Sequence, residues 1–234
     1  MSNRKLSVHK EHELLQKLED AGMNEELAQA VIESRGNKLA KGMVAFIANG
    51  EQIVGAATLD IRSIQLSRLI QLGYAKAAGL SNEAFAKLIP VPENKKNALL
   101  VIPANIISID KQMELVGGSR NYLNLNSLKD TVLTPDRPYW IYGVENGKKM
   151  LGQSPDVCVK DFAKQSRRGL TVVEGINLVA QYPDLLKDHY IDLPGSRYGA
   201  DYVPDLSLDD DEPGLYYSFS GDANSRYGSA SCGS

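Results

Sequence analysis

The stretch Tyr202-Val-Pro-Asp-Leu-Ser-Leu-Asp-Asp-Asp-Glu-Pro-Gly-Leu-Tyr-Tyr-Ser-Phe219 decides the reading of the fold. Two strand-forming runs, Tyr202 to Leu208 and Leu215 to Phe219, flank the acidic segment Asp209 to Gly214, whose Asp, Pro and Gly residues suit a turn. The pattern predicts a β-hairpin. The tetrapeptide Ser-Arg-Tyr-Gly brackets it, at Ser196–Gly199 and again at Ser225–Gly228. If the hairpin strands pair, both copies fall at the end opposite the acidic turn and close on one site.

Working upstream, Tyr190 to Leu193 is a further short strand. Thr171-x-x-Glu174 is a capping box ahead of Val173, Ile176, Val179 and Ala180. Ser154-Pro155 opens another helix with a capping hydroxyl and a proline at its first position. Tyr139 to Val144 is a strand, and Asn146-Gly147 turns the chain after it. Ala98 to Pro103 is apolar without interruption, which predicts a strand covered on both faces at the heart of a sheet. Asn121 to Pro138 reads as irregular.

The Lys111 to Val116 stretch is amphipathic, and helical spacing is expected over Ile61 to Leu72 and over Asn82 to Ile89. The last has Ser81 as cap, Phe85, Leu88 and Ile89 buried, and Pro90 as its stop. Leu14, Leu15 and Leu18, then Leu27, Ala28, Val31 and Ile32, predict a helical pair. Met43 to Ala48 and Gln52 to Leu59 predict paired strands about Asn49-Gly50. The resulting fold class is α+β: N-terminal helices and a mixed or antiparallel sheet flanked by helices, with a C-terminal β-hairpin. Residues 1–62 form a helical pair plus hairpin as an appendage, and residues 63–234 form the main domain.

The 43% hydrophobic and 24% charged composition is that of a soluble globular protein, and a net charge of -3 opposes generic nucleic-acid binding. Lys160, Lys164, Arg167 and Arg168 read as a solvated helix face. No apolar run reaches the roughly 20 residues of a membrane helix, and the opening residues show no secretion signal. Cys158 and Cys232 lack metal-ligand spacing and fit a reducing compartment, so the expected location is cytoplasmic. No metal is expected. Asp209 to Glu212 lacks the alternating ligands of a calcium loop, and His9-x-x-His12 has no third ligand. Walker, dinucleotide-binding and metalloprotease signatures are missing, so no cofactor is expected.

The candidate ligand-binding residues are Ser196, Arg197, Tyr198, Arg226, Tyr227, Ser229 and Ser231. They join guanidinium groups that grip carboxylate or phosphate to hydroxyls and flexible glycines. The competing reading is a structural turn in which Arg197 pairs with Asp192 or Asp201. Arg120, after Gly117-Gly118-Ser119, joins the site only if the fold sets it beside Arg197. A nucleophile is the other possibility: Cys232 or Ser231, with His189 as base and Asp188 or Asp192 as its orienter. Against it, Cys232 is equally suited to a buried apolar plug.

Several of these segments carry a resemblance. Leu72-Gly73-Tyr74, Ala78-Gly79, Phe85, Val101, Pro138-Tyr139, Ser154-Pro155-Asp156 and Thr171 to Gly175 belong to it, as do Gly195-Ser196-Arg197, Gly199, Val203-Pro204 and Gly228-Ser229-Ala230-Ser231-Cys232. The chain from Leu66 onward resembles a bacterial family, best known from actinobacteria, that is labelled a domain of unknown function. In the family pattern Tyr198 and the Arg226-Tyr227 pair are not fixed, which makes Arg197 the better candidate. The resemblance implies no established reaction, cofactor or catalytic residue. The expected function is a binding or interaction module for an anionic small molecule or an acidic partner segment. The alternatives are an enzyme of unrecognised type using Cys232 or Ser231, and a structural partner protein whose N-terminal helices bind another chain. Neither nucleic acid nor membrane is an expected partner.

Overall fold

In the computed structural model the described residues are Gln16, 61–118 and 120–233. From residue 61 on they belong to one compact unit, Leu59–Ser234. The expected helical pair, the hairpin about Asn49-Gly50, and His9 with His12 lie outside the described residues.

Helices α1 (Ile61–Gln71), α2 (Tyr74–Ala77) and α3 (Asn82–Leu88) lead into β1 (Leu99–Val101) and α4 (Ile109–Leu115). Then come β2 (Arg120–Asn121), β3 (Leu128–Asp130), β4 (Tyr139–Ile141), α5 (Pro155–Lys164), β5 (Arg167–Gly169), α6 (Val172–Gln181) and α7 (Leu185–Asp188). The remaining strands are β6 (Tyr190–Asp192), β7 (Ser196–Tyr198), β8 (Tyr202–Asp209), β9 (Glu212–Phe219), β10 (Tyr227–Ser229) and β11 (Ser231–Gly233). The fold is α+β, as expected.

The hairpin is tighter than its sequence suggests. Asp209 pairs with Glu212, leaving only Asp210 (φ 51°) and Asp211 (φ 65°) in the loop. Two central residues at positive φ match the right-handed strand twist, and Asp tolerates that region better than most residues. Pro213 and Gly214, expected in the turn, are paired with Leu208 and Ser207 inside the ladder.

β8 organises the main sheet. β9 runs along one edge, while β6 lies opposite Leu206 and Asp205 and β7 opposite Tyr202 on the other. β10 joins β6 in parallel, β3 joins β7 antiparallel and β2 joins β9 in parallel, so the sheet is mixed. Side chains alternate between its faces. Ile191, Leu206 and Leu215 share the apolar face and one core cluster with Val172, Ile176 and Val179 of α6. The alternate positions, including Asp192, Asp205 and Ser229, occupy the opposite face, where α5 seats: Asp156 N donates to Ser220 O at 3.0 Å.

α6 is the central helix, buried from Val172 to Ala180, and both bonds of the Thr171/Glu174 capping box are made. Gly175 lets it press on the sheet, since an added Cβ would stand 2.3 Å from Leu193 Cδ2.

Four local expectations are corrected. β1 is buried on both sides but, among the described residues, pairs with β4 alone and is not the heart of the main sheet. Side-chain amides take the place of a second neighbour. Gln65 donates to Ala98 O and accepts from Leu100 N, both at 2.7 Å, and Asn177 Oδ1 accepts from Ile102 N at 3.2 Å. Leu88 is exposed, because α3 turns Phe85 and Ile89 inward instead. Ser154 caps α5 by position without a side-chain bond. Arg167 and Arg168 are not part of a solvated helix face: α5 ends at Lys164, and both arginines lie on β5, where β11 pairs with them.

Candidate functional site

The two Ser-Arg-Tyr-Gly copies do not converge. In the first, Tyr198 pairs with Tyr202 at the start of β8. In the second, Tyr227 pairs with Tyr190, and its hydroxyl faces Ser207 toward the acidic turn. Tyr202 and Ser207 are five positions apart on one strand, about 17 Å at about 3.4 Å per residue. The parallel pairing of β10 with β6 causes this: the second copy enters its strand from the turn end.

The copies also use their glycines differently. Gly199 adopts φ 68° in open space, whereas a Cβ on Gly228 would stand 2.1 Å from Gly147 O. One serves a turn and the other a close backbone approach.

The expected site residues disperse accordingly. Ser196 Oγ donates to Asp130 Oδ1 at 2.5 Å and accepts from Val172 N at 3.0 Å, tying β7 to β3 and α6. Tyr198 lies 4.5 Å from Tyr217, ring to ring. Arg226 is exposed and lies over the Tyr190 ring at 4.4 Å, and Tyr227 meets the same ring edge-on at 5.1 Å. Arg197 pairs with neither Asp192 nor Asp201; its Nη2 stands 3.6 Å from Asp156 Oδ1, and its buried Nη1 has no partner. The side chain of Arg120 is outside the described residues.

The nucleophile candidates are equally separate. Cys232 is fully buried, and burial pushes its thiol up to about 11, with Arg168 opposing. Ser231 Oγ accepts from Arg167 Nε at 3.1 Å and Nη2 at 2.8 Å. His189 is buried, with Nε2 2.8 Å from Asn146 O and Nδ1 3.2 Å from Asp188 Oδ2. Cys232 therefore fits the plug reading, in the core cluster with Leu170 and Ile176. Both cysteines are free.

Ser229 and Ser231 do meet at a cavity. A hollow of about 80 Å³ is lined by them together with Glu145, Lys149, Gln165 and Arg167. Arg167 was hidden in the sequence by its place in an apparent helix face. On β5 its Nη2 is anchored on Gly143 O at 2.9 Å and on Ser231, which holds the guanidinium at the wall. Lys149 is paired with Glu145 at 2.9 Å. A larger cleft of about 400 Å³ lies elsewhere, between Asn97, Glu145, Asn146 and Tyr182, and adjoins one of about 590 Å³ at Asn97 and Tyr182.

The feature that sequence reasoning missed is a row of acids on the polar sheet face. Asp192 and Asp205 are cross-strand partners, and Ser229 is the next residue in the row. Burial pushes Asp192 up to about 7, with Asp205 adding to the rise, and pushes Asp205 up to about 6 against the stabilising Ser218 bond. Only strand register brings these residues together. Among the described residues no group of three or more His, Cys, Asp or Glu side chains is arranged to hold a metal ion, and no helix is long and apolar enough to cross a membrane.

No curated protein and no solved structure matches the chain. A family model does match, over residues 68–232, covering α2 to β11 and with them the hollow, the acid row and Arg197. The chain belongs to a family of unknown function, DUF5701.

Proposed function

We propose that the Leu59–Ser234 unit is a binding module for an anionic group, received in the hollow beside Ser229 and Ser231. The lining carries this reading: Arg167 supplies the net positive charge, Lys149 offsets Glu145, and two serines supply hydroxyl donors around one small cavity. Arg167 is held in place by Gly143 and Ser231, so little ordering remains to be done on binding. Ser229 Oγ is buried, and beyond the Cys158 thiol beside it no hydrogen-bond partner is found among the described residues. The volume suits a single carboxylate or tetrahedral oxyanion, with the rest of the ligand in solvent. Glu145, on the same wall, is neutralised by Lys149.

Calorimetric titration of the full chain with phosphate, sulfate, citrate, nucleotides and phosphosugars tests the reading. Arg167→Lys and Lys149→Ala each weaken the binding anion about tenfold, the size of one lost charge-assisted hydrogen bond. Affinity unchanged in both variants removes the hollow as the site.

A second reading rests on Arg197, whose unpartnered Nη1 and loose 3.6 Å approach to Asp156 leave part of its fork free. Lys129 stands beside it across β3 and β7 and is exposed. If Arg197→Ala abolishes binding while the Arg167 and Lys149 variants do not, the anion sits there. The acidic segment of another protein is the macromolecular form of the same ligand, and a reducing, cytoplasmic setting accompanies both readings. The enzymatic alternative has no comparable support, since neither Cys232 nor Ser231 touches His189.

A further inference from the structure

The polar face of the sheet carries three adjacent oxygen-bearing side chains: Ser229 on β10, Asp192 on β6 and Asp205 on β8. They are joined by the register pairs Ser229↔Asp192 and Asp192↔Asp205. Directly opposed residues share a face with Cβ atoms about 4.5–5.5 Å apart, so the two carboxyl groups stand side by side. All three residues are 1–2% exposed. Ser218 Oγ donates to Asp205 Oδ2 at 2.8 Å, but among the described residues Asp205 Oδ1 has no partner and Ser229 Oγ has none beyond the Cys158 thiol beside it. Among the described residues no ion pair reaches either aspartate. Arg197, on the same face by alternation, turns to Asp156 instead.

Two neighbouring carboxylates withdrawn from water must either hold protons or meet positive charge, because burial and mutual repulsion both oppose their ionisation. Among the described residues the neighbouring groups are hydroxyls and a thiol, and no ion pair brings a cation to the row. We propose that Asp192, Asp205 and Ser229 form a site for one hard divalent cation, held by carboxylate and hydroxyl oxygens between the sheet and α5. Such ions take oxygen ligands, and two carboxylates with hydroxyls form a sparse but chemically consistent set. The Tyr227 hydroxyl is raised by burial with both aspartates adding to the shift, so it stays neutral beside the row. This site shares Ser229 with the anion-binding hollow, so Arg167→Lys, which touches only the hollow and leaves ion binding unchanged, keeps the two readings distinguishable.

The test is titration of the chelator-treated full chain with CaCl2 and, separately, MnCl2 at pH 7.5. It is followed by calorimetry and thermal unfolding, with Mn2+ paramagnetic resonance as the third readout. One ion binds per chain. At an ion concentration about a hundredfold above Kd, the midpoint rises by about 5–10 °C. Asp205→Asn abolishes both effects, and Ser229→Ala, a milder change, weakens binding with the fold intact. The proposal is overturned if the wild-type chain binds neither ion, or if binding survives in a folded Asp205→Asn chain. A midpoint that rises in Asp205→Asn without any ion effect assigns the neutralising charge to a shared proton.

Discussion

Arg168 and Glu174 form a bidentate pair inside the unit, with Nη1 2.8 Å from Oε2 and Nη2 2.6 Å from Oε1. Glu174 is fully buried and also accepts from Thr171 N at 2.8 Å and from the Tyr139 hydroxyl at 3.2 Å. One carboxylate thus links β5, β4 and the start of α6. Arg168→Met leaves that charge buried without its cation and costs about 3–5 kcal/mol in urea unfolding. Arg168→Met combined with Glu174→Leu costs less than the single change, because no unpaired charge is left.

The amide of Gln65 stands in for a missing strand beside β1. Gln65→Leu leaves Ala98 O and Leu100 N buried without partners and lowers stability by about 2 kcal/mol or more. Hydrogen exchange of the Leu100 amide rises in the variant; unchanged protection there would show that the side chain is not what holds this edge.

In the chelated protein, Asp192 and Asp205 make stability depend on pH in the direction opposite to a salt-bridged acid. Their folded pKa values, up to about 7 and about 6, lie above the ordinary 3.8, so the folded chain binds more protons than the unfolded chain between these limits. Their contribution is therefore full below about pH 4 and is lost as pH rises through 6 to 7. The groups facing them are Ser218, Ser229, Cys158 and Tyr227, and Arg197 on the same face turns to Asp156, so among the described residues no ion pair offsets their charge. Asp205→Asn flattens this slope in midpoint measurements across pH 4.5–8.

The two repeat glycines respond to alanine differently. Gly228→Ala drives a Cβ into the Gly147 carbonyl and costs on the order of 3 kcal/mol or more. Gly199→Ala meets no neighbour and pays only for its φ of 68°, about 1–2 kcal/mol. Equal losses would contradict the division of labour between the copies.

Both thiols are inert to a disulfide reagent in the folded state and titrate after unfolding, because Cys158 and Cys232 are fully buried. Labelling kinetics that track unfolding support the plug reading. Fast labelling of Cys232 in the native protein contradicts it.

Local features were legible in the sequence because their physics is local. The Thr171/Glu174 box, the Ser81 cap of α3, and the strand signals on either side of Asp210-Asp211 depend on residues a few positions apart. Even there, six acidic and turn-forming residues in sequence concealed a loop of two, since nothing local marks how far pairing continues. The site was less legible. Ser229 and Ser231, singled out in the sequence, line the same hollow, but Arg167 resembled a helix-face cation until β11 pairing placed it beside Ser231.

The order of amino acids by itself determined an α+β unit with a capped, buried helix and a closing hairpin, because apolar spacing and capping chemistry act within one or two turns of chain. Only the tertiary structure decided that the two Ser-Arg-Tyr-Gly copies stand at different levels of β8 and that Asp192 meets Asp205. Those outcomes follow from the parallel docking of β10 and the register of β6 on β8, and strand register depends on long-range packing of one face against α6.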